Sequence, residues 1–445
     1  MASAEHVNTP HFMSKYALET VPRYTSYPPA TRFHDGVGIT DWAAWMGEQP
    51  EAPELSVYIH IPFCRSMCWY CGCHTTIPNR HDRIARYLDA LDTDIQRRAS
   101  FAPADGAVRH VHFGGGSPDM LKPAEFRRIM DRLRTRFTFA PDAEIAVELD
   151  PRGVTDDLCA AMAECGVNRA SLGVQDLSSE VQSLIQRVQP RSVVEVALTR
   201  LHAAGITAIN MDMMYGLPAQ TGERVAATAR AIGEMGAERV SVFGYAHLPW
   251  FKKHQRAIPE TRLPDAAERF DQMLIAAETL SSVGYDAIGF DHFARPDDPL
   301  ARAARDGTLR RNFQGYTTDP SDLLIGLGAS AISECRQGYV QAEPDPVRYA
   351  EAVLNGNDML ARGVARTADE LATGMRIADL LCRFGLILSP FDRRDALDDM
   401  IADGLVKLTG DHLLVTAAGK PYVRNIAARL DPAFQLTAKR HSVAI

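Results

Sequence analysis

No window of about 18 consecutive apolar residues occurs in the 445-residue chain, so a membrane-spanning helix is not expected. The opening residues, Met1-Ala-Ser-Ala-Glu-His6, lack a charged stretch leading into an apolar core, which is the pattern of a secretory leader. Excess positive charge is missing too. Lys and Arg number 48 against 56 Asp and Glu, a net charge of −8, which argues against a general nucleic-acid binder. The run Arg127, Arg128, Arg132, Arg134 and Arg136 reads as the solvated face of a helix. Cysteine is sparse outside one place. Of eight, Cys159, Cys165, Cys335 and Cys382 are scattered among apolar or helical patterns as ordinary buried thiols, which excludes a disulfide framework. Clustered thiols without an export pattern fit a reducing cytoplasm. With 46% hydrophobic and 23% charged residues, the chain reads as a large globular domain plus one or two smaller pieces.

The other four cysteines fall within Tyr58-Ile-His-Ile-Pro-Phe-Cys64-Arg-Ser-Met-Cys68-Trp-Tyr-Cys71-Gly-Cys73-His74, directly after an apolar run that reads as a strand. Cys64, Cys68 and Cys71 form a C-x3-C-x2-C array. Such spacing folds thiolates around one compact inorganic centre, and an iron–sulfur cluster is the natural occupant. Zinc on Cys64, Cys68, Cys71 and His74 is the alternative, although no second Cys/His pair follows, as structural zinc sites usually require. A four-iron cube held by three cysteines leaves one iron open to a substrate or cofactor.

From Leu55 onward apolar strands alternate with amphipathic helices, the signature of a parallel α/β architecture. Strands are expected near 56–61, 108–113, 144–149, 169–173, 208–212 and 239–243. Six β/α units are fewer than the eight of a closed barrel. The predicted fold is therefore an open, partial (β/α)6 TIM-like barrel whose lateral mouth admits a large substrate. Residues 1–53, rich in proline and aromatics, read as an N-terminal extension wrapping near the active site. Residues 54–345 read as the catalytic domain. Residues 346–445 read as a small, mostly helical unit whose helix, helix and hairpin order is that of a winged-helix fold. Without a basic surface, that unit is expected to cover or support a substrate rather than read DNA.

The cysteine array after a strand resembles the radical S-adenosylmethionine superfamily. Tyr58-Ile-His-Ile-Pro-Phe-Cys64, Cys71-Gly-Cys73, Arg23-Tyr-Thr-Ser-Tyr-Pro28 and Arg311-Asn-Phe-Gln-Gly-Tyr316 together resemble, more narrowly, the oxygen-independent coproporphyrinogen III oxidase family of haem biosynthesis. The resemblance implies a [4Fe–4S] cluster on Cys64, Cys68 and Cys71, with Cys73 needed for activity but not ligating iron. It implies S-adenosylmethionine held by Gly115, Gly116 and Ser117 of the Gly-Gly-Gly-Ser segment, where the glycines let backbone amides approach the cofactor. Tyr58 and Glu148 would stand beside that cofactor, Glu148 taking its amino end. Gln175 and Arg187 would take its ribose and carboxylate, and Asp212 stands at the fifth strand end. A second S-adenosylmethionine would neighbour Ala246, Phe313, Gln314 and Ile332. Gly244 departs from the Asn expected of the family.

The implied reaction removes a β-hydrogen from a propionate of coproporphyrinogen III, then carbon dioxide and an electron. Performed twice, it gives protoporphyrinogen IX. Arg65, His74, Arg295 and Arg311 are candidate anchors for the substrate carboxylates, with Arg23 and Tyr24 closing over it. An unidentified electron donor must feed the cluster, and a monomer, with no nucleic-acid or membrane partner, is expected. Rival readings are a haem-binding chaperone or haem-degrading radical enzyme of the same family, and a non-catalytic metal-stabilised scaffold. The chaperones tend to lose the fourth cysteine and the Arg-Asn-Phe-Gln-Gly-Tyr wording, both present here.

Overall fold

The computed structural model describes residues 9–389 and 392–434. Two short helices, α1 (Ser14–Ala17) and α2 (Ile39–Gly47), precede the repeating part. There β1 (Glu54–Ile61), α3 (His81–Ala99), β2 (Ala107–Gly115), α4 (Pro123–Arg136), β3 (Thr138–Leu149) and α5 (Asp156–Glu164) alternate. The alternation continues through β4 (Arg169–Gln175), α6 (Ser179–Leu184), α7 (Arg191–Ala203), β5 (Ala208–Tyr215), α8 (Gly222–Glu234), β6 (Arg239–Gly244) and α9 (Ala266–Ser282). Short elements follow: β7 (Asp286–Ile288), β8 (His292–Ala294), α10 (Pro299–Asp306), β9 (Arg310–Asn312) and β10 (Gly315–Thr317). Next come β11 (Leu323–Leu327), β12 (Ile332–Cys335), β13 (Gly338–Ala342), α11 (Pro346–Leu354) and β14 (Leu360–Ala365). The chain closes with α12 (Ala368–Arg383), β15 (Gly385–Ile387), α13 (Asp398–Ala402), β16 (Val406–Thr409), β17 (His412–Val415) and α14 (Val423–Leu430).

Twelve strands form one sheet in the order β14-β13-β12-β11-β1-β2-β3-β4-β5-β6-β8-β7. The run from β11 to β6 is parallel, and the strands beyond it at both ends are antiparallel. The sheet ends on β14, whose outer edge is bridged by His34 of the N-terminal segment, and on β7, and these two end strands do not pair with each other: the open partial barrel expected from six β/α units. A seventh parallel strand, β11, escaped the periodicity because Gly326 interrupts its apolar run. The sheet also runs past residue 346, since β13 pairs with β14 and α11 lies on α3.

Alternation within the strands decides which side chains enter the barrel. In β4, Ala170, Leu172 and Val174 are buried on the helix side, which turns Ser171, Gly173 and Gln175 inward. In β5, Ile209, Met211, Met213 and Tyr215 alternate with Asn210 and Asp212. On the outside, Ile84, Tyr87, Leu88, Leu91 and Ile95 of α3 are buried at helical spacing. Ordinary caps start these helices: Thr155 accepts from the Leu158 N–H and Asp265 from the Glu268 N–H.

A second core lies outside the barrel. Tyr16, Val21, Tyr24 and Tyr27 of the N-terminal segment pack with Leu380, Leu381, Tyr422 and Ile426 of the C-terminal unit. Both Tyr24 and Tyr27 donate to the buried Asp431, at 3.1 and 2.6 Å. The C-terminal unit carries a three-stranded sheet, β15-β17-β16, wrapped by α12, α13 and α14, in keeping with a small winged-helix-like unit. Among the described residues no helix is long and apolar enough to cross a membrane.

Candidate active site

The loop between β1 and α3 is tied at its base. Cys64 N–H donates to the Thr76 carbonyl at 3.1 Å and Thr76 N–H to the Pro62 carbonyl at 2.8 Å, so residues 63–76 leave and rejoin the barrel at one point. Neighbours clamp the loop along its length. Trp69 N–H bonds the Ile185 carbonyl at 2.9 Å, while His254, Lys252 and Gln255 reach the carbonyls of Cys71, Cys73 and Tyr70 at 2.7, 2.9 and 3.0 Å. Arg65 is spent on Asp119, 3.2 Å away. A cavity of about 700 Å³ flanks the loop, lined by Cys73, His74, Arg83, Arg86 and Lys252 among others.

All four thiols are free. Thr75 Oγ1 donates to Cys64 Sγ at 3.1 Å, and Arg187 and Arg152 donate to Cys68 Sγ at 3.4 and 3.8 Å. Cys71 accepts the Cys73 N–H at 3.4 Å. The Cys73 thiol and N–H lower Cys71, and the Cys71 charge beside it raises Cys73. Burial raises Cys64 to about 12, a shift that a bound cationic metal centre reverses. Among the described residues, no three His, Cys, Asp or Glu side chains converge as the ligands of a single metal ion. Three soft sulfurs, each already receiving a hydrogen bond, on a loop tied at its base are a donor set suited to an iron–sulfur cluster.

Beside the loop lies a chain of hydrogen bonds rooted in β1. His60 Nε2 donates to the His74 carbonyl at 2.9 Å, which leaves Nδ1 to accept from Tyr58 Oη at 3.0 Å. Burial lowers His60 to about 4, so its ring is neutral. Tyr58 stacks on His112, its register partner in β2, with ring centres 6.0 Å apart. His112 Nε2 in turn stands 2.9 Å from Glu148 Oε1, whose other oxygen accepts the Gly115 N–H at 3.2 Å. Burial pushes Glu148 up, but His112 and the Gly115 N–H outweigh it and hold the carboxyl below its usual range. Tyr58, Glu148 and Gly115 are thus brought together around His112. Burial and the Glu148 charge raise Asp212, which accepts from Asn210 at 2.9 Å.

The glycine triplet does something other than leave its amides open. Gly116 N–H is bonded to the Ile61 carbonyl at 2.9 Å and Ser117 N–H to the Phe63 carbonyl at 2.8 Å. A Cβ on Gly116 would lie 2.5 Å from the Phe63 carbonyl oxygen, one on Gly114 would lie 2.7 Å from Glu148, and Gly115 has φ +99° against the His60 ring. The glycines are needed because loop, histidine and carboxylate all press on one strand end. Ser117 Oγ is likewise engaged, with Asp119 and with the Asp150 N–H.

Arg187 is buried, bonded to the Gly173 carbonyl at 2.6 Å, Asp150 at 3.1 Å and Cys68 Sγ, while its Nε has no hydrogen-bond partner among the described residues. Gln175 stands at the end of β4 with φ +66°. Phe313 and Ile332 each pack against the buried cluster of Phe33, Tyr339 and Val364. Gln314 lines a narrow cavity of about 50 Å³ with His110, His112 and Asn312. Ala246 follows β6, its carbonyl bonded to Gln255. Arg295 does not face the mouth: it donates to the carbonyls of Val283 and Gly233, beyond the start of β6, and lies 4.0 Å over Tyr285. Sequence reasoning missed His60, His112 and Asp150. The first shares a strand face with Tyr58 two residues away, which was the available signal; the others come together only through sheet register and loop packing.

A family profile described as the radical SAM superfamily matches residues 58–232. Over 442 residues the chain is 43% identical to an oxygen-independent coproporphyrinogen III oxidase of Bradyrhizobium diazoefficiens, covering 97% of this chain and 98% of that protein. The enzyme of the same name from Escherichia coli K12 is 39% identical over 92% of both. The solved structure of Escherichia coli coproporphyrinogen III oxidase, described as a radical SAM enzyme, superposes with a TM-score of 0.88 at 38% identity, covering 92% of this chain and 97% of that one.

Proposed function

This chain belongs to the oxygen-independent coproporphyrinogen III oxidase family of the radical SAM superfamily, and we infer from that premise how its own residues carry the reaction. It is an oxidoreductase that converts two propionates of coproporphyrinogen III to vinyl groups, giving protoporphyrinogen IX. Each propionate loses carbon dioxide, one hydrogen atom and one electron. When bound, a [4Fe–4S] cluster and S-adenosylmethionine supply a 5′-deoxyadenosyl radical able to take hydrogen from an unactivated carbon.

Cys64, Cys68 and Cys71 are the residues that would hold the cluster, with Arg187, Arg152 and Thr75 bonded to the sulfurs to fix their orientation. Glu148, kept ionised by His112 and Gly115, would receive a cationic amino group. Arg187 keeps one buried N–H free for a carboxylate, and Gln175 stands at the adjoining strand end for a ribose. Gly115, Gly116 and Ser117 act by shaping that strand end rather than by offering open amides. Tyr58 and neutral His60 make a fixed wall, and Cys73 stands next to the ligands as a group for the reaction itself. A second S-adenosylmethionine between Ala246, Phe313, Gln314 and Ile332 belongs to the same reading, supported by the packing of Phe313 and Ile332 against one buried cluster, Phe33, Tyr339 and Val364. So do an unidentified electron donor, a monomeric state and a cytoplasmic setting. Within this reading the C-terminal unit begins after β14, near Thr367, where the large sheet ends.

The observation that carries this reading is the convergence of three bonded thiols with an ionised Glu148 on adjoining strand ends of an open barrel. Anaerobic incubation of the reconstituted chain with S-adenosylmethionine, a reductant and coproporphyrinogen III tests it. Mass spectrometry is expected to find 5′-deoxyadenosine together with the divinyl product. Deoxyadenosine without vinyl product favours another radical reaction.

A further inference from the structure

Guanidinium groups gather on the β5–β6 side of the barrel mouth. Phe290 lies beneath two of them, with Arg311 4.7 Å and Arg424 5.9 Å from its ring centre. Arg269 donates to the Tyr245 carbonyl at 2.7 Å and lies against Gly216, just past β5. Arg23, exposed on the N-terminal segment, is close enough to act with Arg269 and Arg424 on the Tyr215 hydroxyl. The four arginines come from the N-terminal segment, α9, β9 and α14, so three separate regions of the molecule meet here.

Carboxylate partners are few for Arg23, Arg269 and Arg311. Among the described residues Asp291 is the one carboxylate within ion-pair distance of Arg311, at 3.6 Å, and it is shared with His292 at 2.7 Å. Neither Arg23 nor Arg269 has a carboxylate within that distance among the described residues. Arg311 is only 6% exposed, and its Nε and Nη1, like Nε of Arg269, find no hydrogen-bond acceptor among the described residues. Burial and the Arg23 charge bring Arg424 down to about 10. Gathering like charges in a partly desolvated place is unfavourable unless an anion completes it, and planar forks with unused N–H groups suit carboxylates.

We propose that Arg23, Arg269, Arg311 and Arg424 form a carboxylate-binding basin that holds the propionates the reaction leaves intact. The inference rests on the substrate named above. A tetracarboxylate macrocycle has its reacting side chain at the Tyr58–Glu148 side of the mouth, which places its remaining carboxylates across the barrel. The N-terminal segment and C-terminal unit then serve as the far wall of the substrate site, since they supply Arg23 and Arg424.

Fluorescence titration with coproporphyrin III, the oxidised tetracarboxylate, tests the basin, with its tetramethyl ester as the uncharged control. Arg23→Gln and Arg424→Gln are each expected to weaken porphyrin binding about tenfold, the loss of one charge-assisted hydrogen bond. Binding of S-adenosylmethionine to the reconstituted protein is expected to stay at the wild-type level, and KM is expected to rise with kcat preserved. Arg311→Lys, which keeps the charge but not the fork, is expected to fall between. Because Arg23 is exposed, its variant keeps the fold and the test does not depend on Arg311. Unchanged affinity in both Gln variants, or equal binding of the ester, overturns the basin and leaves the reaction standing. If the wild-type chain binds no coproporphyrin at all, the substrate reading fails with it.

Discussion

Glu148 concentrates the chemistry of single residues. It is ionised because His112 and the Gly115 N–H outweigh its burial, so removing its charge is expected to cost affinity for a cationic amino group directly. Glu148→Gln is expected to keep the cluster, read as iron content and absorbance, while S-adenosylmethionine binds at least about tenfold more weakly by equilibrium dialysis. His60 gives a pH signature. Its folded value is lowered to about 4 from an ordinary 6.5, so the native state binds fewer protons than the unfolded chain between those values. Stability is therefore full above about pH 6.5 and is lost as pH falls toward 4, by up to about 3 kcal/mol. His60→Gln is expected to flatten that acid loss in thermal melts at pH 7.5, 5.5 and 4.5; an equally steep loss in the variant would assign it to other groups. At this scale the cysteine array was legible because its ligands lie within a few residues of one another. Asp150 on Arg187 and His112 on Glu148 were not, because nothing in a linear sequence records the register that joins them.

Among the elements, β2 and the loop after β1 depend on each other. Gly116 has no room for a methyl group, since backbone carbonyls of Ile61 and Phe63 lie 2.6 and 2.5 Å from where it would stand. Gly116→Ala is expected to lower stability by at least about 1–3 kcal/mol in urea unfolding and to reduce iron uptake on reconstitution, because the displaced strand end carries the loop base with it. Normal iron uptake in the variant would separate the triplet from the loop. The six β/α units were legible from period-2 strands followed by helical faces. β11 was not, since a glycine breaks its apolar run, nor were β12 to β14, which are only 4, 5 and 6 residues long and carry no helix pattern between β12 and β13 to mark them.

The whole molecule is a barrel left open along one side and joined outside by a second core. Asp431 accepts from both Tyr24 and Tyr27 and so fastens the N-terminal segment to the C-terminal unit. Asp431→Ala strands two buried hydroxyls, each costing about 1–3 kcal/mol, and is expected to lower the thermal midpoint and expose the N-terminal segment to limited proteolysis. Proteolysis at the wild-type rate would show that the segment is held elsewhere. The sequence marked both ends as distinct from the barrel, but their common core pairs residues some four hundred positions apart and no local pattern announces it.

Every functional statement above rests on three sulfurs holding a cluster while a fourth, Cys73, stands beside it unbound. Iron and vinyl product measured side by side in Cys64→Ala, Cys68→Ala, Cys71→Ala and Cys73→Ala test this most directly. The first three are expected to lose iron and product together, and Cys73→Ala to keep its iron while making no product. Loss of iron from Cys73→Ala as complete as from the others would contradict the account.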